Sequence, residues 1–201
     1  MTLVDLTITN ARIVTSRYIV EAGIAIDEQR IATIAKEPHL PKADRSIDAQ
    51  GMLVMPGLID SHVHLRDPGY THKEDFLTGT KAAANGGVTL VMDEPNTNPT
   101  TVSLEAFKEK RGLGEAKAVT DFALSVGLNH ENIAEIPRFS EAGAISYSIF
   151  TTASGDLGVV DDYVAFEALK AVGSVNGTAA VSPMLGDISS RVISDLMESE
   201  R

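Results

Sequence analysis

Apolar and polar residues alternate in short runs through the first 54 positions of the chain. A strict alternation over four to eight residues predicts half-buried β-strands. Asn10 separates the first two runs, and polar residues 27–29 lie between the last two, a pattern typical of a β-hairpin. The runs are residues 3–8, 12–14, 23–27 and 30–34. This part of the sequence therefore predicts a plain β-meander.

From Leu53 onwards, short apolar runs alternate with longer segments that carry one apolar face. Thr71 and Glu74 have the spacing of a capping box for a first helix that ends at Gly86-Gly87. The predicted strands are a first short apolar strand that precedes His62, followed by residues 88–92, 119–126, 144–150 and 178–181. The predicted helices are residues 71–85, 104–113, 131–142 and 161–172, with a last one from Ile188. Strands that alternate with helices predict parallel βα units in an α/β protein. We count about five units, whereas a closed (β/α)₈ barrel has eight.

Composition and charge narrow the class of protein. The chain of 201 residues is 43% hydrophobic and 22% charged, as soluble globular proteins are. It shows no signal peptide and no apolar run of membrane-span length, so we expect a cytoplasmic protein without a membrane partner. A formal net charge of −11 argues against a nucleic-acid surface. Without cysteine, any metal must be held by His, Asp, Glu or a modified side chain.

Two histidines carry the clearest chemical signal. His62 and His64 occupy alternate positions after a short apolar run, so on a strand both side chains point to the same face. Paired imidazoles at the end of a strand are a basis for a metal site. Arg66, two residues further on, is expected at the same face or rim. An H-x-H pair by itself is common, so the residues around it decide its meaning.

The surrounding sequence resembles the cyclic amidohydrolase family. The residues that carry the resemblance are 56–69, 70–76, 86–89 and 95–97. Dihydroorotase is the best match, with allantoinase and hydantoinase as neighbours. The resemblance covers most of residues 1–150. It implies that residues 1–54 form part of a small β-sandwich, and that residues 55–201 form an incomplete amidohydrolase-type (β/α) barrel.

The resemblance also implies a chemistry. His62 and His64 would bind zinc, one or two ions in number, and a zinc-bound water could attack an amide carbonyl at neutral pH. Arg66 and Asn96 would bind the carboxylate and the ring of a dihydroorotate-like substrate. The implied reaction is the interconversion of dihydroorotate and carbamoyl-aspartate in pyrimidine biosynthesis. The family's general-base aspartate would lie beyond Arg201, so no catalytic residue is identified in this sequence.

Three positions depart from the family pattern. Ser148 stands where a carboxylated lysine usually bridges two metals, and the neighbouring Ile149 is no substitute. Ser182 stands where the family has a further histidine ligand. Glu94 replaces a common methionine, and we consider it as a substitute carboxylate ligand because it lies close to Asn96 in sequence.

Three interpretations remain open. The chain is a dihydroorotase-like hydrolase of cyclic amides, which the retained Arg66 and Asn96 favour. Alternatively, it is an inactive homologue that acts as a scaffold or partner subunit, which Ser148 and Ser182 favour. A third possibility is a truncated or decayed product with no activity of its own, which would fold poorly because its barrel is not closed. Because a barrel of about five units leaves an open sheet edge, we expect a homo-oligomer or a partner chain.

Overall fold

A computed structural model of the chain describes residues 3–152, 157–183 and 186–199. The chain forms two compact units, Met1–Pro56 and Gly57–Arg201. The first unit is built on one sheet. Its strands are β1 (Val4–Val14), β2 (Ile19–Asp27), β3 (Arg30–Ala35), β4 (Ala43–Asp48) and β5 (Leu53–Val54).

The sheet of the first unit is not the plain meander that the alternation predicts. The strand order is β3-β2-β1-β4, and β5 also pairs with β1. The β1–β2 and β2–β3 pairs are antiparallel, whereas β4 and β5 run parallel to β1. Sequence alternation reports which face of a strand is buried but not which neighbour it pairs with, so the parallel pairs were not predictable from it.

Asn10 does not end a strand, contrary to the prediction. β1 continues through it, with a register shift between Ile8 and Ala11 and a positive φ of 49° at Asn10. Asparagine tolerates this left-handed conformation, so a bulge fits here without breaking the strand. The β2–β3 hairpin is as predicted, with positive φ values at its two turn residues Glu28 and Gln29.

The second unit contains a five-stranded parallel sheet with the order β10-β9-β8-β7-β6. The strands are β6 (Leu58–Val63), β7 (Val88–Asp93), β8 (Asp121–Gly127), β9 (Ser146–Phe150) and β10 (Thr178–Ser182). The helices are α1 (Phe76–Asn85), α2 (Leu104–Lys117), α3 (Ile136–Glu141), α4 (Asp162–Ser174) and α5 (Gly186–Ser199). Each strand is thus followed by a helix, which confirms the predicted α/β class and the partial (β/α) barrel.

The predicted start of α1 is wrong by several residues. The helix begins at Phe76, and the side chain of Asp75, not of Thr71, accepts a hydrogen bond from Thr78 N at 2.7 Å. Residues 71–73 instead form a turn. An aspartate caps a helix at least as well as a threonine, so two candidate caps four residues apart could not be ranked from sequence.

The core of the second unit packs between the sheet and its helices. Its largest fully buried apolar side chains are Phe76, Phe107, Ile136, Phe139, Tyr147 and Ile149. The carboxyl ends of the parallel strands lie along one edge of the sheet, where barrels of this type place their active sites. Within the described ranges, no helix has the length and hydropathy that a membrane span requires.

Candidate functional site

His62 and His64 lie side by side at the carboxyl end of β6. Their ring centroids are 5.1 Å apart, and the ring planes are nearly perpendicular at 88°. The His62 side chain is 53% exposed, and His64 is half-buried. This arrangement follows from the alternate spacing of the two residues along an extended segment, where every second side chain points to the same face.

Asn96, in the loop after β7, contacts His64. Its Oδ1 atom lies 2.7 Å from Nδ1 of His64. Because an amide oxygen only accepts hydrogen bonds, Nδ1 of His64 carries the proton and donates it. The neutral imidazole then has its lone pair on Nε2, which is the state required of a metal ligand.

Glu94 is a buried carboxylate between the histidines and the sheet interior, with a side-chain exposure of 3%. Its backbone N donates to Val63 O at 2.9 Å, which holds the residue level with the end of β6. Oε1 lies 3.4 Å from Nδ1 of His62, and Oε2 accepts a hydrogen bond of 2.9 Å from Ser148 Oγ. Two of the departures from the family pattern, Glu94 and Ser148, are therefore in direct contact.

Three buried serine hydroxyls form a chain that ends at Glu94. Ser146 Oγ donates to Ser125 Oγ at 2.9 Å, and Ser125 Oγ lies 2.8 Å from Ser148 Oγ. Ser148 then donates to the carboxylate. If each hydroxyl donates to the next, every proton in the chain points towards Glu94, and successive hydrogen bonds polarise one another in the same sense.

A buried lysine on α2, which no sequence motif indicated, contacts the end of β7 beneath the site. Lys110 Nζ lies 2.7 Å from Asp93 Oδ2 and donates to Glu94 O at 2.6 Å. Asp93 Oδ1 in turn accepts from Leu65 N at 2.7 Å. Burial lowers the pKa of Lys110, and the neighbouring Asp93 opposes that shift. The lysine thereby links the loops that carry His64 and Glu94.

Arg66 comes directly after Leu65 in the loop after β6, and its backbone lies in the left-handed region with a φ of 63°. A residue with a Cβ adopts this conformation at a cost of about 1–3 kcal/mol, and such residues are frequent at ligand sites. Neighbouring contacts hold the loop. Lys117 Nζ pairs with buried Asp67 at 2.6 Å, and a Cβ at Gly69 would overlap the Asn98 backbone oxygen. The loop after β6 therefore lies tightly against the loop after β7.

Ser182, the third departure, lies at the end of β10 opposite Phe150. Its backbone oxygen accepts hydrogen bonds from Thr151, at 3.4 Å from N and 3.2 Å from Oγ1. The structure thus brings together His62, His64, Glu94, Asn96 and Ser148 through direct contacts, with Arg66 two residues from His64. Ser182 belongs to a different hydrogen-bond group.

Imidazole and carboxylate side chains are suitable ligands for zinc, but here they are not yet arranged around a common point. Across residues 3–152, 157–183 and 186–199, no three His, Cys, Asp or Glu side chains are grouped so that they could hold a metal ion. Two imidazoles and one carboxylate are nevertheless a ligand set that catalytic zinc uses. The Nδ1 hydrogen bond of His64 is also the type of contact that orients a metal-binding histidine.

The second unit has the fold of a partial (β/α) barrel, and comparisons with known proteins identify its family. The family described as Dihydro-orotase-like matches residues 51–179. An allantoinase from Solibacter usitatus is 35% identical over 188 residues, which are 92% of this chain and 41% of that protein. A dihydroorotase from Methanosarcina mazei is 40% identical over 136 residues, 67% of this chain and 30% of that protein.

The solved structures give the same result. The L-hydantoinase (dihydropyrimidinase) from Arthrobacter aurescens superimposes with a TM-score of 0.93 at 30% sequence identity, over 98% of this chain and 44% of that chain. The chain belongs to the dihydro-orotase-like family of cyclic amidohydrolases. It spans less than half the length of the relatives it matches. The family predicted from residues 55–100 is confirmed.

Proposed function

We propose that this chain carries the zinc-binding part of an active site that hydrolyses cyclic amides. The observation that supports it is the His62–His64 pair at the carboxyl end of β6, with the tautomer of His64 set by Asn96 at 2.7 Å. A purely structural pair of histidines has no need of a half-buried partner that leaves the lone pair of Nε2 available to a metal.

His62 and His64 hold the zinc in this proposal. Bound zinc supplies a water of pKa about 7 and polarises the amide carbonyl. The protein's own contribution is to hold both imidazoles side by side, while the loops after β6 and β7 fix their height above the sheet. The Lys110–Asp93 pair provides that rigidity.

We propose dihydroorotate as the substrate, converted reversibly to carbamoyl-aspartate as a step of pyrimidine biosynthesis in the cytoplasm. Arg66 and Asn96 would contact its carboxylate and ring. A guanidinium fork matches a planar carboxylate, and Arg66 is held in a strained left-handed backbone next to the histidines. Allantoin and hydantoin lack a carboxylate, so the role of Arg66 distinguishes dihydroorotate from them.

An inactive homologue is the second candidate. Ser148 and Ser182 favour it, because neutral hydroxyls occupy two positions at which the family places metal ligands, and a hydroxyl cannot offset the charge of two dications. In this case the chain would act as a scaffold. For either candidate function, we expect the chain to self-associate or to bind a partner chain. Apolar side chains that are 57–67% exposed on α5, namely Ile188, Ile193, Leu196 and Met197, support that expectation.

Hydrolysis of the cyclic amide tests the proposal directly. The full chain, loaded with zinc, is assayed with dihydroorotate, allantoin and hydantoin, beside the His62→Ala/His64→Ala variant. Turnover of dihydroorotate that disappears in the variant is the expected result. Zinc binding without turnover of any of the three would favour the scaffold, and turnover that persists in the variant would exclude this site.

A further inference from the structure

We infer that Glu94 is the carboxylate ligand of the metal site and that Ser148 holds it in position. The inference rests on the proposed zinc site and assigns to it a third protein ligand. It makes Glu94, from the loop after β7, the functional replacement for a ligand on β9. In the resemblance described above that ligand is a modified lysine, at the position of Ser148.

The carboxylate of Glu94 is buried and forms no ion pair with a lysine or arginine of the described residues, although the charge of Lys110 also acts on it. Only 3% of its side chain is exposed. Among the ion pairs of the described residues, His62 is the one group paired with its carboxylate, whereas Lys110 pairs with Asp93 and binds only the backbone oxygen of Glu94. Burial of a charge is costly unless the charge is paired or binds a metal.

An ion pair with His62 is the alternative explanation for Glu94. The distance of 3.4 Å is long for a charge-assisted hydrogen bond. The imidazole is also 53% exposed, and a pair that is half in solvent contributes little stability. A partner of this kind compensates poorly for a buried carboxylate, whereas a bound dication would pair with it directly.

Ser148 accounts for the position of the carboxylate. The Ser146–Ser125–Ser148 chain ends on Oε2 of Glu94, so this oxygen is fixed from inside the sheet. Oε1 is left facing the histidines. A long side chain at position 148 would occupy the space into which Glu94 extends, because the two side chains are already at 2.9 Å. The serine and the glutamate are therefore a matched pair.

With Glu94, the site has the ligand number of a catalytic zinc centre. Three protein ligands and one open position for water are usual there. The three donors are not already grouped to hold an ion, so metal binding requires side-chain rotation. His62 can supply it, since an exposed side chain changes rotamer within picoseconds to nanoseconds.

Zinc affinity of the full chain, measured by competition with a chelating dye, tests the inference. Glu94→Gln keeps the size of the side chain and removes the charge, and we expect about a 100-fold loss of affinity. Ser148→Ala removes only the hydroxyl, and we expect about a 10-fold loss, as for other groups that orient ligands. Glu109→Gln, an exposed glutamate on α2, is the matched control and should leave the affinity unchanged.

The visible absorption of the cobalt-substituted chain is a second readout, because it reports the ligand set without any need for activity. A changed spectrum in Glu94→Gln, and not in Glu109→Gln, is expected. Wild-type zinc affinity in both Glu94→Gln and Ser148→Ala would overturn the inference and leave the histidine site intact. Absence of zinc binding by the wild-type chain would overturn this inference together with the proposed function. Circular dichroism checks that each variant is folded.

Discussion

Asn96 Oδ1 and His64 Nδ1 lie 2.7 Å apart, although helix α1 and strand β7 separate the two residues in the chain. The contact joins the loop after β6 to the loop after β7. It gives Asn96 a role that the sequence did not indicate, since the resemblance assigns it to the substrate. Orientation of His64 and contact with substrate are compatible, because an amide group has donors as well as an acceptor.

Asn96→Ala should therefore weaken zinc binding. Loss of the partner that orients a metal-binding histidine typically lowers metal affinity about 10- to 100-fold. Asn85→Ala, at the exposed end of α1, is the control and should bind zinc as the wild type does. Equal affinities in all three proteins, measured by dye competition, would mean that the contact does not prepare His64 for a metal.

Lys110→Met should destabilise the second unit strongly. The substitution removes a fully buried cation and leaves Asp93 buried without its charge partner, which typically costs about 3–5 kcal/mol. Lys108→Met, at an exposed position of the same helix, should change the free energy of unfolding by no more than about 0.5 kcal/mol. Urea denaturation measures both values. If both substitutions changed the free energy of unfolding by similarly small amounts, the contacts of Lys110 would not be what stabilises the fold.

The stability contributed by Asp75 should depend on pH in the acidic range. Hydrogen bonds from Thr78, first from its backbone N, lower the pKa of Asp75 below its ordinary value of 3.8. The unfolded chain then binds the proton more readily than the folded chain, so the contribution is complete above about pH 4 and declines as the pH falls below that value.

Thermal denaturation tests this directly. Asp75→Ala should melt at a lower temperature than the wild type at pH 7, and the difference should narrow between pH 4 and pH 3. Glu109→Ala, an exposed substitution in α2, should show no such change with pH. A difference for Asp75→Ala that stays constant from pH 7 to pH 3 would rule out the carboxylate as the stabilising group.

Arg66→Lys should weaken the binding of a ligand that carries a carboxylate more than the binding of a ligand that has none. The substitution keeps a positive charge but loses the bidentate fork, so binding of dihydroorotate should weaken about 10- to 100-fold. Hydantoin, which has no carboxylate, should be affected little. Arg138→Lys, on an exposed arginine of α3, is the control. Calorimetric titration of the zinc-loaded chain gives the affinities, and an equal loss for both ligands would argue against a carboxylate contact.

The order of strands and helices in the second unit was predictable because each element carries its own periodicity. β9 is buried along its whole length and α4 carries an apolar face, and both were recognised from these patterns. The parallel pairing of β4 with β1 could not be recognised in the same way, because it depends on residues about 40 positions apart. Asp75 rather than Thr71 caps α1, next to the fully buried Phe76, and local preference alone does not rank these two residues.

The site shows the same division between local and distant information. The adjacency of His62 and His64 follows from strand geometry alone. The contact of Glu94 with Ser148 joins residues 54 positions apart in sequence. From the sequence alone, the two residues are therefore unrelated departures from the family pattern. Lys110 gave no signal at all, because a lysine in a helix is normally an exposed residue. Only the fold shows that it lies beneath the loops of the site.

The central claim is that His62 and His64 form a zinc site. Its most direct test is the amount of zinc per chain after metal loading and removal of excess ions, compared with the His62→Ala/His64→Ala variant. We predict about one zinc ion per wild-type chain, as a site with one open position for water would hold, and little or none in the variant. Equally low zinc in both proteins would contradict the claim and show that this barrel retains the family's fold without its metal chemistry.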